Sequence, residues 1–436
     1  MNLVERDLKH IWHPCSQMKD YEGFPPLEIA KAYGSYLELT NGKTLIDAIS
    51  SWWCKSLGHG HPRLKAALSA QMEKFEHVIL ANTTNETIVT LSEKLATLVP
   101  NLDKLFYAGD GSSAVEIAIK MSLHSRKITG SKKNKFMALA NGYHGETVMT
   151  LALGDLGIYK QDYEDLFPET AFIQNIPYVS SKNDPKWKDC SEEWEKIEPQ
   201  LDAAADSLSA ILFEPILQGA GGMLIYSADF LNRLDKWAKA NNVHLIADEI
   251  MTGFGRTGDV LACNYTTVKP DFVCISKGFT SGWLPMSAVL TSSETYNLFY
   301  DDYEKQKSFL HSNTYTGNAL AASVAIETLA ILEEEIYPKS EFFETCLYET
   351  FMEVVEGTKR LENIRYIGGV VAADLILPES YKSKRMGFEI YKKATSFGAL
   401  LRPLGNTIYW LPPLNTSEKT LKELRDITIR SIQSVF

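Results

Sequence analysis

The chain is predicted to fold as an α/β protein, with a large domain around a mainly parallel sheet and a smaller α+β domain built from both termini. Short apolar runs alternate with amphipathic stretches through the middle of the 436 residues, the pattern of a parallel sheet whose strands are covered on both faces. With 45% hydrophobic residues, the chain can bury a core larger than one ordinary domain holds. The two ends are patterned differently, so residues 1–50 and 321–436 are assigned to the small domain and 51–320 to the large one.

Taking the elements in order, "SYLELTNGKTLIDAIS" alternates apolar and polar residues around Asn41-Gly42, a hairpin signal. "HPRLKAALSAQMEKF" places Leu64, Ala67, Leu68 and Phe75 on one stripe, and "ETIVTLSEKLATLV" stops at Pro100, so both read as helices. Five runs read as buried strands: "KLFYAG" (104–109), "KFMALA" (135–140), "SAILFEP" (209–215), "VHLIAD" (243–248) and "DFVCIS" (271–276). The segment 179–200, rich in Ser, Lys, Asp and Trp, reads as a surface excursion. Beyond residue 320 follow a long helix, a strand-like "IGGVVAADLIL", a helix near "MGFEIYKKATSFG", a hairpin-like "LLRPLGNTIYWLPP" and a final helix.

A formal net charge of −11 argues against nucleic acid or an anionic membrane as partner. No apolar run approaches the roughly 20 residues that cross a bilayer. Six scattered cysteines without a C-x-x-C pair, and no leader pattern at "MNLVERDLKH", lead to the expectation of a reducing cytoplasm. His59 and His61 lack a third ligand nearby, so a turn into the next helix is expected there and no metal site.

In open α/β sheets ligands bind at the carboxyl ends of the strands, and four strand exits carry unusual residues. "GDGSSAVEIAIKM" follows the first strand, with Ser113 and Glu116 at capping-box spacing and Gly111 allowing close backbone approach. Such a helix start offers free N–H groups to a phosphate. Tyr143 lies in the turn "NGYHGET" and could cover a planar ligand. Asp248 ends another strand, where a buried carboxylate needs a partner. Lys277 leaves the "DFVCIS" strand, and a lysine buried there becomes a nucleophile toward aldehydes. Phosphate donors, a ring cover, an anion and an amine are together what pyridoxal phosphate requires. Each alone also has a structural reading as a capped helix, a packing aromatic, a solvated loop or a paired charge.

"ILFEPILQGAGGM", "LIADEIMTGFGRTG", "CISKGFTSGWLPMSAVL" and "HSNTYTGNALAASVA", in that order, resemble the class III aminotransferases of the fold-type I pyridoxal phosphate enzymes. The resemblance runs from about residue 30 to the C-terminus. It implies catalytic roles for Lys277, Asp248 and Tyr143, and cofactor contacts from Gly111, Ser112, Asn313 and Thr314, with Thr314 reaching the phosphate of a neighbouring subunit in a homodimer. "IWHP" and "DAISSWWCKSLGHGHP" are similar to the branch that aminates 7-keto-8-aminopelargonate to 7,8-diaminopelargonate in biotin biosynthesis. That similarity implies substrate contacts from Trp52, Tyr143, Lys277 and Ser312, with Arg402 anchoring the keto acid's carboxylate. "EPILQGAGGM" lacks the glutamate that ornithine, acetylornithine and 4-aminobutyrate aminotransferases carry in this loop. Cys15 stands where that branch has a substrate-contacting tyrosine, and "HSNT" replaces "HGPT". S-adenosylmethionine is the expected amino donor. Lysine as donor, another class III omega-amino acid aminotransferase, or a silent relative that only binds partners stay open at this point.

Overall fold

Seven short apolar segments lie side by side in one sheet: β1 (Lys104–Ala108), β2 (Lys135–Leu139), β3 (Thr170–Ile173), β4 (Leu208–Phe213), β5 (His244–Asp248), β6 (Phe272–Ile275) and β7 (Ser287–Thr291). They are seen in a computed structural model that describes residues 1–381 and 384–436. Across the sheet the order is β3-β2-β4-β5-β6-β7-β1. Four pairings are parallel, while β7 runs antiparallel to both its neighbours. The sequence pattern marks five of these strands. It misses β3, which is half exposed at an edge, and β7, whose apolar centre is only Ala288–Leu290, too short for periodicity to register.

Successive side chains point to opposite faces of a strand, and both faces are buried here. Ala138, Ala210, Leu212, Ile246, Phe272, Cys274 and Val289 meet helix α1 (Gly111–Ile128) on one side. Met137, Ile211, Phe213, Leu245, Val273, Ile275 and Leu290 join the larger core on the other. With no solvated face, the strands carry unbroken apolar runs rather than alternation.

Details at α1 depart from the sequence reading. Its cap is Asp110, whose Oδ1 accepts from the Ser113 N–H at 2.9 Å and whose Oδ2 accepts from Ser113 Oγ at 2.8 Å. The capping box expected from Ser113 and Glu116 therefore does not form. Glu116 instead accepts from Thr147 Oγ1 (2.6 Å) and the Met149 N–H (3.1 Å), tying the turn after β2 to the helix.

The two ends of the chain share a sheet. The hairpin Tyr36–Leu39/Thr44–Asp47 turns at Asn41-Gly42, where Gly42 has φ 82°, and is flanked by Ile29–Tyr33 and Ala399–Leu400. A second sheet joins Leu361–Ile367, Val370–Leu375 and Thr407–Trp410. "IGGVVAADLIL" is thus broken by a turn at Gly368-Gly369. "LLRPLGNTIYWLPP" does not close as a hairpin, because its two arms enter different sheets and only Leu404 bridges to Thr407. Arg402 lies at the bend between them. Nor is 179–200 a surface excursion: Trp187, Cys190, Trp194 and Ile197 are buried in the main core.

Candidate active site

The carboxyl ends of β1, β2, β4, β5 and β6 open onto one cleft. Lys277 stands two residues beyond β6 with φ 48°, a left-handed conformation that costs a non-glycine residue on the order of 1 kcal/mol or more. Its Nζ lies 4.9 Å from the centre of the Trp53 ring and has no hydrogen-bond acceptor among the described residues. Burial holds the ammonium below the usual lysine range, although Asp248 and Glu214 pull the other way. A partly buried amine without an acceptor is poised as a nucleophile.

Asp248 ends β5 inside the cleft. Its Oδ2 accepts from His144 Nδ1 at 2.8 Å and its Oδ1 from the Ile250 N–H at 3.2 Å. That leaves acceptor capacity for one more donor. Glu214, at the exit of β4, is buried and accepts from the Tyr143 N–H (2.9 Å) and the Gly219 N–H (2.9 Å). It thus locks together the two loops that carry those residues. Burial, with Asp248 adding to it, pushes the Glu214 carboxyl up to about 7, against the pull of His144.

The start of α1 supplies a cradle. The Gly111 and Ser112 N–H groups precede the first intrahelical bond and have no partner among the described residues. Gly145 (φ 127°) passes so close that a Cβ there would come 2.8 Å from Ser112 Cβ, and a Cβ on Gly111 would meet Ile250 Cδ1 at 2.9 Å. Only glycines allow the backbone this approach. Tyr143 lines the same cleft and donates its hydroxyl to Glu146 Oε1 at 3.0 Å. Burial, with Glu146 adding to it, pushes its phenol well above the usual range. Free N–H donors, an aromatic wall, a carboxylate and an unpaired amine fit a phosphorylated pyridine aldehyde.

At the mouth, residues 50–53 of "SSWW" form a left-handed turn, with φ values of 50°, 45°, 71° and 73°. Each such residue costs roughly 1–2 kcal/mol, so the turn must be held from outside. Adjacent indoles then part company. Trp53 is 5% exposed, lines the cleft and donates Nε1–H to Tyr409 at 3.0 Å. Trp52 is 42% exposed and carries the Arg402 guanidinium 4.3 Å above its ring. Arg402 also donates to the Cys15 carbonyl at 2.9 Å, and Cys15 has φ 49°.

The structure therefore brings together Lys277, Asp248, Tyr143, Gly111 and Ser112 in one cleft, with Trp52 and Arg402 paired outside it. Ser312, Asn313 and Thr314 do not line the cleft of their own chain. They lie on a segment where Ser312 and Thr314 are exposed, and the Thr314 carbonyl accepts from His77 at 3.0 Å. His59 donates to Asp47 Oδ2 at 2.9 Å, and His61 precedes the helix Pro62–Met72. Sequence reasoning passed over Glu214, His144 and Trp53. The first two had a signal, a carboxylate before Pro215 at a strand exit and a histidine beside Tyr143; nothing in the sequence distinguishes Trp53 from Trp52.

Fold and site together define a fold-type I pyridoxal phosphate-dependent enzyme. A model of the aminotransferase class-III family matches residues 17–432, and the chain belongs to that family. It is 40% identical to the adenosylmethionine-8-amino-7-oxononanoate aminotransferase of Helicobacter pylori, over 97% of this chain and 95% of that protein. It is 35% identical to the protein of the same name from Aquifex aeolicus, over 97% and 95%. Among solved structures, the adenosylmethionine-8-amino-7-oxononanoate aminotransferase of Methanocaldococcus jannaschii superposes with a TM-score of 0.90 at 31% identity, covering 99% of this chain and 98% of that one. A PLP-bound amine transaminase from an uncultivated Pseudomonas species gives 0.87 at 26% identity, covering 98% of each chain.

Proposed function

We propose that this protein transfers an amino group to 7-keto-8-aminopelargonate (8-amino-7-oxononanoate), forming 7,8-diaminopelargonate for biotin biosynthesis, with S-adenosylmethionine as donor and pyridoxal 5'-phosphate as cofactor. The observation that carries the reading is the pairing of Arg402 with Trp52 at the mouth of the cleft that holds Lys277. A guanidinium above an indole suits a substrate with an apolar chain ending in a carboxylate. The names of the relatives at 35–40% identity point to the same substrate and donor.

When bound, the cofactor supplies an electron sink for the bonds of the reacting carbon. Gly111 and Ser112 would receive its phosphate on their N–H groups, Tyr143 its ring face, and Asp248 the proton on its ring nitrogen. His144 holds Asp248 in orientation. Lys277 would carry the aldehyde and, once displaced by the donor, use Nζ to move a proton from the donor's carbon and later to the acceptor's. Arg402 would fix the far carboxylate, so that the keto carbon reaches Lys277.

Ser312, Asn313 and Thr314 are read as contributing to the site of a second copy, which makes the active unit a homodimer. Their exposure in one chain and their place in "HSNTYTGN" support this. Residues 1–50 with 321–436, and 51–320, are read as the two domains. No helix among the described residues is long and apolar enough to cross a membrane, in keeping with the cytoplasmic location we propose.

Two measurements test the reading. Purified protein given 7-keto-8-aminopelargonate should form diaminopelargonate fastest with S-adenosylmethionine. Lysine as the better donor would change the donor, and turnover of beta-alanine with none of the keto acid would reassign the enzyme to the omega-amino acid branch. Borohydride reduction of the holoenzyme followed by peptide mapping should label Lys277, and a label elsewhere overturns the site.

A further inference from the structure

The left-handed turn at residues 50–53 has its own anchor. Asp47 ends the strand Thr44–Asp47 and is fully buried, at 0% exposure. Its carboxylate accepts from the Ser51 N–H (3.0 Å), from Ser51 Oγ (2.7 Å), from His59 (2.9 Å) and, at 3.4 Å, from the Ile49 N–H. Ser50 Oγ adds a bond to the Leu411 carbonyl at 2.7 Å. The buried Arg256 approaches Ser50 Oγ from the other side at 3.4 Å while donating to the Pro412 carbonyl at 2.8 Å. Two backbone N–H groups, of Ile49 just before the turn and of Ser51 within it, and the Ser51 hydroxyl thus donate to Asp47, and the fourth partner, His59, fixes the carboxylate's rotation.

None of these groups lines the cleft, but of the two indoles the turn carries Trp53 lines it and Trp52 stands outside it beneath Arg402. Trp53 forms the wall against Lys277, with its ring packed close enough to Gly219 that a Cβ there would come 3.3 Å from it. Trp52, one residue earlier, is the platform beneath Arg402. We propose that Asp47, oriented by His59, is a positioning residue of the amino transfer: it holds residues 50–53 left-handed, and so sets the Trp52–Arg402 pair at the distance from Lys277 that the keto acid must span. The claim rests on the activity proposed above and on Arg402 as the carboxylate's anchor.

Ser51 offers the decisive variant. Glycine adopts the left-handed conformation without a Cβ penalty, so at position 51 the turn should need less holding. Asp47→Asn keeps the size but replaces one acceptor oxygen with an amide nitrogen. It should raise KM for the keto acid about tenfold or more, with kcat within about threefold. Asp47→Asn combined with Ser51→Gly should return KM to within about threefold of Ser51→Gly alone. The pH midpoint of the holoenzyme's cofactor absorption band should move in Asp47→Asn, because Trp53 bears on Lys277 Nζ, and move back in the double variant.

An unchanged KM and an unmoved band in Asp47→Asn overturn the proposal. So does a KM that rises together with a loss of thermal stability and is not restored by Ser51→Gly, since Asp47 would then only anchor the fold. Should Asp47→Asn not fold, Ser51→Ala removes just the hydroxyl bond and should raise KM about threefold; no rise overturns the proposal. If the wild type turned over no keto acid at all, the proposed function would fall, and the cofactor band would still decide the role of Asp47.

Discussion

Gly145→Ala probes the phosphate cradle directly. The new Cβ would stand 2.8 Å from Ser112 Cβ and 3.0 Å from Thr150 Oγ1. Real carbons do not approach so closely, so either the turn after β2 or the start of α1 must move. Helix α1 is locked by its Asp110 cap and by its apolar face against the sheet, so the strain falls on the loop and on the Ser112 side chain. A φ of 127° adds a backbone cost of roughly 1–3 kcal/mol, which the apo protein shows as a lower Tm. If the movement withdraws one N–H from the phosphate, the lost bond to a charged group is worth about 1.5–3 kcal/mol. That corresponds to a cofactor Kd raised roughly 10- to 150-fold. Fluorescence titration of the apoenzyme with pyridoxal phosphate measures it, and Gly157→Ala, with open space around its Cβ, is the control. Removing the opposing carbon as well, in Ser112→Gly with Gly145→Ala, should recover much of the affinity. A Kd within threefold of wild type, together with a lowered Tm, would refute the assignment of this cradle to the phosphate.

Arg402→Ala should raise KM for the keto acid about 30-fold while the cofactor spectrum stays intact; the guanidinium is only half-buried, so about 2 kcal/mol is expected, the lower end for a charge-assisted pair. An unchanged KM would remove Arg402 from the site. Glu214→Gln addresses stability against pH. Because the folded carboxyl is raised from 4.5 to about 7, its contribution is fully present below pH 4.5 and lost as pH rises through about 7, a change on the order of 3 kcal/mol. Urea unfolding of the apo wild type between pH 4.5 and 8 should therefore show a decline that Glu214→Gln lacks, and equal slopes in the two proteins would contradict this.

Much of the site was legible because strand exits are local in sequence. An apolar run must end, and the residue after it stands at the carboxyl edge, so Lys277, Asp248, Tyr143 and Gly111 could be placed in one row before any distance was known. The α/β class followed from the same runs, since a strand covered on both faces needs no alternation. Motif resemblance then gave those positions their chemistry.

What the tertiary structure decided depends on which distant segments meet. Glu214 became a buried clamp only when the loops of Tyr143 and Gly219 closed on it. Arg402 reached Trp52 only because the bend at Pro403 sends its two arms into separate sheets. Adjacent tryptophans took opposite roles because four consecutive left-handed residues, held by Asp47, point one indole at Lys277 and the other at Arg402. Periodicity and composition carry no term for a conformation that is locally unfavourable and is imposed by a carboxylate outside the turn. That is the physical reason the amine's position could be read from one strand, while the shape of the pocket around it could not.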